Sequence, residues 1–202
     1  LAGKNKALII SATGTGKTYL CAFDVKESKP NKVLFIVHRL NIARKSLQSF
    51  REIIGAGVSM GLYSGENRHV EADYIFSTVQ TLARKEHLER FKPDHFDYVV
   101  IDETHRSGAE SYQRILSYLR PRFLLGMTAT PERQDGYDIF RQFDNNLAFE
   151  IRLHQALEEQ MLCNFHYYGI ADITVNNEVV EEKTGFNLLV AEERVMRIIE
   201  SS

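Results

Sequence analysis

Ser11-Ala12-Thr13-Gly14-Thr15-Gly16-Lys17-Thr18 gathers the residue types that hold a polyphosphate. Glycine lets the backbone approach phosphate oxygens that a side chain would keep away, and successive N–H groups can then face the anion. Lys17 is spaced to reach the β and γ phosphates of a nucleotide, and the Thr18 hydroxyl to help hold Mg²⁺. Thr13, Gly14, Thr15, Gly16, Lys17 and Thr18 are therefore the candidate cradle. Ser11 departs from the general pattern, which has glycine at that position. The competing reading is a Gly/Thr-rich turn that happens to contain Gly-Lys-Thr. Context favours the cradle: an apolar run, Ala7–Ile10, precedes the loop and a helix-like run, Tyr19–Lys26, follows it. In a strand–loop–helix setting the helix N-terminus adds its N–H groups to the anion site.

A second set of chemical groups lies far downstream. Tyr98-Val99-Val100-Ile101 runs straight into Asp102-Glu103. In open α/β sheets ligands sit beyond the C-terminal ends of the strands, which is also where a phosphate loop leaves its strand. Asp102 can then meet the Mg²⁺ held near Thr18, while Glu103 orients and deprotonates a water for attack on the γ-phosphate. The bland alternative is a buried strand that ends in a solvated Asp-Glu turn.

The elements that must position these groups follow from periodicity. Val33–Val37 is a continuous apolar run, as expected of a strand buried on both faces of a parallel sheet. Leu40, Ala43, Leu47, Phe50 and Ile54 recur at helical spacing within a helix predicted over 39–54. Short strands are expected over 58–62, 74–77, 98–101 and 123–127, with helices over 78–88 and along the Ala109, Tyr112, Ile115, Leu116, Leu119 stripe. Beyond Pro131 the pattern predicts a short helix over 138–143 and a strand over 147–153 with Phe149 and Ile151 on one face. It then gives a helix over 154–162, a strand-like run over 165–175, a loose acidic loop over 176–185 and a helix over 188–199. Alternating strands and helices give an α/β fold with an open, mostly parallel sheet and helices on both faces.

The chain resembles the first RecA-like motor domain of superfamily 2 DEAD/DEAH-box helicases and translocases, nearest the motor subunits of type I and III restriction enzymes. The resemblance rests on Ala12–Thr18, on Asp102-Glu103-Thr104-His105-Arg106 and on Thr128-Ala129-Thr130-Pro131-Glu132-Arg133. Val37-His38-Arg39 and Ser77-Thr78-Val79-Gln80-Thr81-Leu82 support it. Thr104 stands where this box usually has alanine. The resemblance implies a P-loop NTPase that uses ATP and Mg²⁺, with Lys17, Glu103 and His105 as catalytic residues and Asp102 in the nucleotide site. His105 would couple that site to Thr128 and Thr130, and Arg39, Gly65 and Thr78 would lie at a groove for nucleic acid, duplex DNA by the restriction and repair likeness. Each has a plainer alternative: Arg39 as a solvated helix residue, His38 as packing, His105 as structural, and Thr128 and Thr130 as caps.

The family works with two such domains. The expected division here is a RecA-like ATP-binding domain over 1–163, and over 164–202 an extension and connector toward an absent second domain. An adenine-reading segment and the second domain's arginine are absent from this sequence, so the piece is expected to hydrolyse ATP very slowly alone. A small GTPase or nucleotide kinase is the competing enzyme class, although Asn31-Lys32-Val33-Leu34 lacks the aspartate of a guanine-reading segment. A module that binds nucleotide without turnover is the third.

Composition sets outer bounds. The 202 residues, 44% of them hydrophobic, allow one ordinary domain or slightly more. A net charge of −2 gives no global pull toward nucleic acid, so any basic surface must be local. Cys21 and Cys163 make neither a disulfide framework nor a zinc pattern, the histidines lack metal-ligand spacing, and no apolar run reaches membrane-spanning length. A cytoplasmic protein is expected.

Overall fold

The computed structural model describes residues 3–65, 69–104, 107–131 and 138–163, with the backbone of 174–175 and 178–179. Seven strands form one sheet: β1 (Lys6–Ser11), β2 (Val33–Val37), β3 (Met60–Tyr63), β4 (Tyr74–Thr78), β5 (Tyr98–Ile101), β6 (Phe123–Thr128) and β7 (Leu147–Ile151). Their order is β3-β4-β2-β5-β6-β1-β7, and every neighbouring pair is parallel. The chain divides into two compact units, Leu1–Leu162 and Cys163–Ser202. In the second, β8 (Thr174–Val175), at the end of the expected strand-like run, pairs antiparallel with β9 (Glu178–Val179), which falls where the sequence suggested loop. The helix expected over 188–199 lies outside the described residues.

The continuous apolar strands are explained by burial on both faces. On one face Ala7, Ile9, Phe35, Phe76, Val100 and Met127 pack beneath Cys21, Ala22 and Val25 of α1 (Lys17–Ser28) and Ala43, Leu47 and Phe50 of α2 (Leu40–Ile54). On the other, Leu8, Ile10, Leu34, Ile36, Val99 and Ile101 meet α3 (Val79–Leu82), α4 (Lys85–Leu88), α5 (Glu110–Tyr118) and α6 (Ile139–Gln142). Gly126 in β6 is a close-approach position: a Cβ there would stand 2.4 Å from the Phe143 ring. A further helix, α7 (Leu153–Glu158), follows β7.

Two expectations fail locally. The helix predicted over 78–88 is two short helices, broken at Arg84, whose backbone is extended; Arg114 Nη1 donates to the Ala83 carbonyl at that break, at 3.0 Å. Phe149 is 42% exposed although the alternation put it with Ile151. β7 is an edge strand exposed from Leu147 to Glu150, and only Ile151 at its end is covered, by Ala12 and Ala156.

Candidate active site

Parallel pairing puts every strand's C-terminal end at one edge, and there the two candidate halves meet. β6 lies between β1 and β5, with Ile10 opposite Thr128 and Ile101 opposite Gly126. The phosphate loop leaves β1 and the acidic pair leaves β5, one strand apart.

Gly14 (φ 88°) and Gly16 (φ 83°) both adopt the left-handed conformation that glycine tolerates without strain. A Cβ on Gly14 would also come within 3.1 Å of Leu162. Leu162 packs with α7 against Ala12, a long-range contact that the sequence pattern gave no sign of. Gly16 precedes α1 without a side-chain cap, which leaves the first N–H groups of that helix without a capping side chain. The loop is internally stitched. Lys17 Nζ donates to the carbonyls of Ser11 at 2.8 Å and Ala12 at 3.0 Å. The Thr15 hydroxyl donates to Ala12 O at 2.6 Å and lies 2.5 Å from that of Ser11. Ser11 is buried, and this bond gives its hydroxyl a partner where the general pattern needs no side chain at all. Thr13 is exposed and Thr18 half-buried.

Burial lowers the pKa of the Lys17 ammonium, while the charges of Asp102 and Glu103 hold it up. Burial also raises the Asp102 carboxyl, opposed by the Glu103 N–H and by Lys17. These mutual influences place the ammonium and both carboxylates in one electrostatic neighbourhood. Glu103 N–H donates to Asp102 Oδ1 at 3.0 Å, and Asp102 N–H continues the ladder onto Ile36 O at 2.9 Å. Glu103 has φ 55°, a left-handed conformation that costs a non-glycine residue about 1–2 kcal/mol. Such strain is characteristic of functional turns. Thr104 is fully buried, and its hydroxyl donates to Ile101 O at 2.9 Å. That bond gives the hydroxyl a partner where alanine would carry none.

Asp102 and Thr18 offer oxygen donors of the hard type that suits Mg²⁺. The Thr18 hydroxyl forms no hydrogen bond among the described residues, so the donor set fits such an ion. Thr128 is buried, and its hydroxyl closes a turn on Thr130, accepting from its N–H and donating to its carbonyl, each at 3.2 Å. His105, the expected partner of this turn, lies outside the described residues, as do Arg106, Glu132 and Arg133.

The other half of the same edge holds the remaining candidates. Arg39 is exposed at the start of α2, Gly65 is exposed beyond β3, and Thr78 ends β4. β4 separates β3 from β2, with Ser77 opposite Tyr63 and Thr78 opposite Val37. Thr78 is 8% exposed and its hydroxyl caps α3, accepting from Thr81 N–H at 3.3 Å. Its side chain therefore anchors the turn.

Comparison with known proteins gives the family and the fold. The family described as type III restriction enzyme, res subunit, matches residues 2–133. The chain is 32% identical over 143 residues to the type I restriction enzyme EcoAI endonuclease subunit of Escherichia coli, covering 64% of this chain and 17% of that protein. It is 24% identical over 186 residues to the putative ATP-dependent helicase IRC3 of Saccharomyces cerevisiae, covering 83% of this chain and 26% of the relative. It therefore spans about a quarter or less of the length of these relatives. Among solved structures, the type ISP restriction-modification enzyme LlaGI, in complex with a DNA substrate mimic, shares the fold. The TM-score is 0.58 at 19% identity, over 79% of this chain and 19% of that one.

Proposed function

This chain belongs to the family of the type III restriction enzyme res subunit, and from that premise we propose that it is the ATP-binding motor domain of a nucleic-acid-dependent ATPase acting on duplex DNA. The observation that carries the reading is that the loop bearing Lys17 and the Asp102-Glu103 pair leave β1 and β5, on either side of β6, at the same edge of the sheet. The DNA preference draws on the restriction-enzyme relatives and on the DNA complex of LlaGI.

In this mechanism the loop N–H groups and the Lys17 ammonium bind the β and γ phosphates. To do so Lys17 exchanges its bonds to the Ser11 and Ala12 carbonyls for charge-assisted bonds to phosphate, which are stronger. Asp102 and Thr18 would hold Mg²⁺, which supplies charge neutralisation of the phosphates. Glu103 orients a water whose oxygen bonds to the γ-phosphorus as the bridging bond to the β-phosphate breaks, and the Glu103 carboxylate takes the water's proton. Thr128, Thr130 and His105 relay the state of the site, and Arg39, Gly65 and Thr78 line the nucleic-acid groove. A second RecA-like domain completes the motor, so the 202-residue chain alone binds ATP but turns it over slowly.

Titration of a fluorescent ATP analogue into the chain tests this. Lys17→Ala should weaken binding roughly 10- to 100-fold, the worth of charge-assisted phosphate bonds. Glu103→Gln should leave binding within about twofold and remove residual turnover. Equal affinity in wild type and Lys17→Ala refutes the phosphate site, and turnover that survives Glu103→Gln refutes the base.

A further inference from the structure

His38 and Gln80 play no part in the nucleotide site, yet they touch. Gln80 Nε2 lies 3.0 Å from His38 Nδ1, across 42 positions of sequence. An amide nitrogen only donates, so His38 Nδ1 accepts and the ring proton sits on Nε2. His38 is the first residue beyond β2, and Gln80 lies in the single turn of α3 beyond β4. Those strands are neighbours in register, Val37 opposite Thr78, so the bond closes a bridge over their ends.

The two sides of that bridge are unequally anchored. The α3 side is fixed from below. The Thr78 hydroxyl caps the helix and meets Thr81 Oγ1 at 3.0 Å, and the buried Ser77 hydroxyl donates to Tyr63 O at 2.7 Å. On the β2 side, Arg39 is exposed with extended backbone and gives α2 no side-chain cap. The exposed Gln80 amide adds a side-chain link between the two turns, above the backbone pairing of β2 with β4.

We propose that His38 and Gln80 form a strap that sets the Arg39 turn against the Thr78 turn, so that both address one nucleic-acid backbone together. The inference rests on reading this edge as the nucleic-acid face. Both residues are positioning residues. Phosphate contacts fix register and orientation, and two of them act together only if their spacing is set before the ligand arrives.

Two measurements on the 202-residue chain decide it. The first is hydrogen–deuterium exchange without ligand. Gln80→Ala should speed exchange about three- to tenfold at residues 39–43, in the opposite turn, and His38→Leu should do the same at residues 79–82, the scale of one lost hydrogen bond. The second is fluorescence anisotropy with a labelled DNA duplex. Each single variant should bind about three- to tenfold more weakly, and the double variant no more weakly than either. His38→Asn, which keeps an acceptor near the place of Nδ1, should recover binding to within about twofold. Exchange that stays local to each substitution, or losses that add in the double variant, overturns the strap. Arg39→Ala separates the two layers. If it binds DNA as wild type does, the nucleic-acid face is wrong, whatever exchange shows. If it weakens binding while His38→Leu and Gln80→Ala do not, the face stands and the strap falls.

Discussion

Replacing Asp102 by Asn should stabilise the fold while removing its function. Burial is the largest influence on the Asp102 carboxyl and raises its pKa; the Glu103 N–H bond and the Lys17 charge oppose it without prevailing. Asparagine keeps an oxygen for the Glu103 N–H, which lies 3.0 Å from Oδ1. The substitution therefore deletes the burial cost of the charge and the smaller attraction to Lys17, and leaves the hydrogen bond. Relieving one destabilised site group is typically worth about 0.5–2 kcal/mol, or roughly 1–8 °C in melting temperature for a domain of this size. The sign with pH follows from linkage. A carboxyl whose folded pKa lies above its unfolded value of about 3.9 costs stability in full above the folded pKa and nothing below the unfolded one. Thermal melts monitored by circular dichroism at pH 7.5 should thus show Asp102→Asn above wild type, with the gap closing as pH falls through the folded pKa. Mg²⁺-dependent nucleotide affinity should drop in the same variant. A lower melting point at pH 7.5, or a gap indifferent to pH, refutes the assignment of Asp102 as a half-buried carboxylate held against its solvation.

Two further substitutions test the supports of the site. Gly126→Ala places a Cβ 2.4 Å from the Phe143 ring and should cost about 1–3 kcal/mol by overpacking, visible as a lower urea midpoint. Phe143→Leu in the same chain should return part of it, and a lack of any rescue argues against the contact. Thr104→Ala removes the hydroxyl bonded to Ile101 O and should lower stability by about 0.5–1.5 kcal/mol with nucleotide affinity unaltered. A loss of affinity there would mean that Thr104 acts on the site and not only beneath it.

What could be read from the sequence and what could not divides along a physical line. The phosphate loop and the acidic pair were legible because each is a short string at the end of an apolar strand, and parallel pairing alone brings such ends to one edge. Val33–Val37 was predicted to the residue because a strand covered on both faces has no polar position to blur its limits. Features fixed by a particular neighbour were not legible. The break between α3 and α4 falls at the extended Arg84, where Arg114 reaches Ala83 O, and the exposure of Phe149 comes with an edge position. The contact of His38 with Gln80 depends on strand order most of all. β4 inserts between β3 and β2, so the turn after β2 meets the turn two strands later in the chain, not the next one. Short motifs therefore point to candidate groups for the chemistry, and strand order decides which of them hold one another in place. The proposed nucleic-acid half of this edge, whose residues come from three strands out of sequence order, depends on strand order more than the proposed phosphate half does.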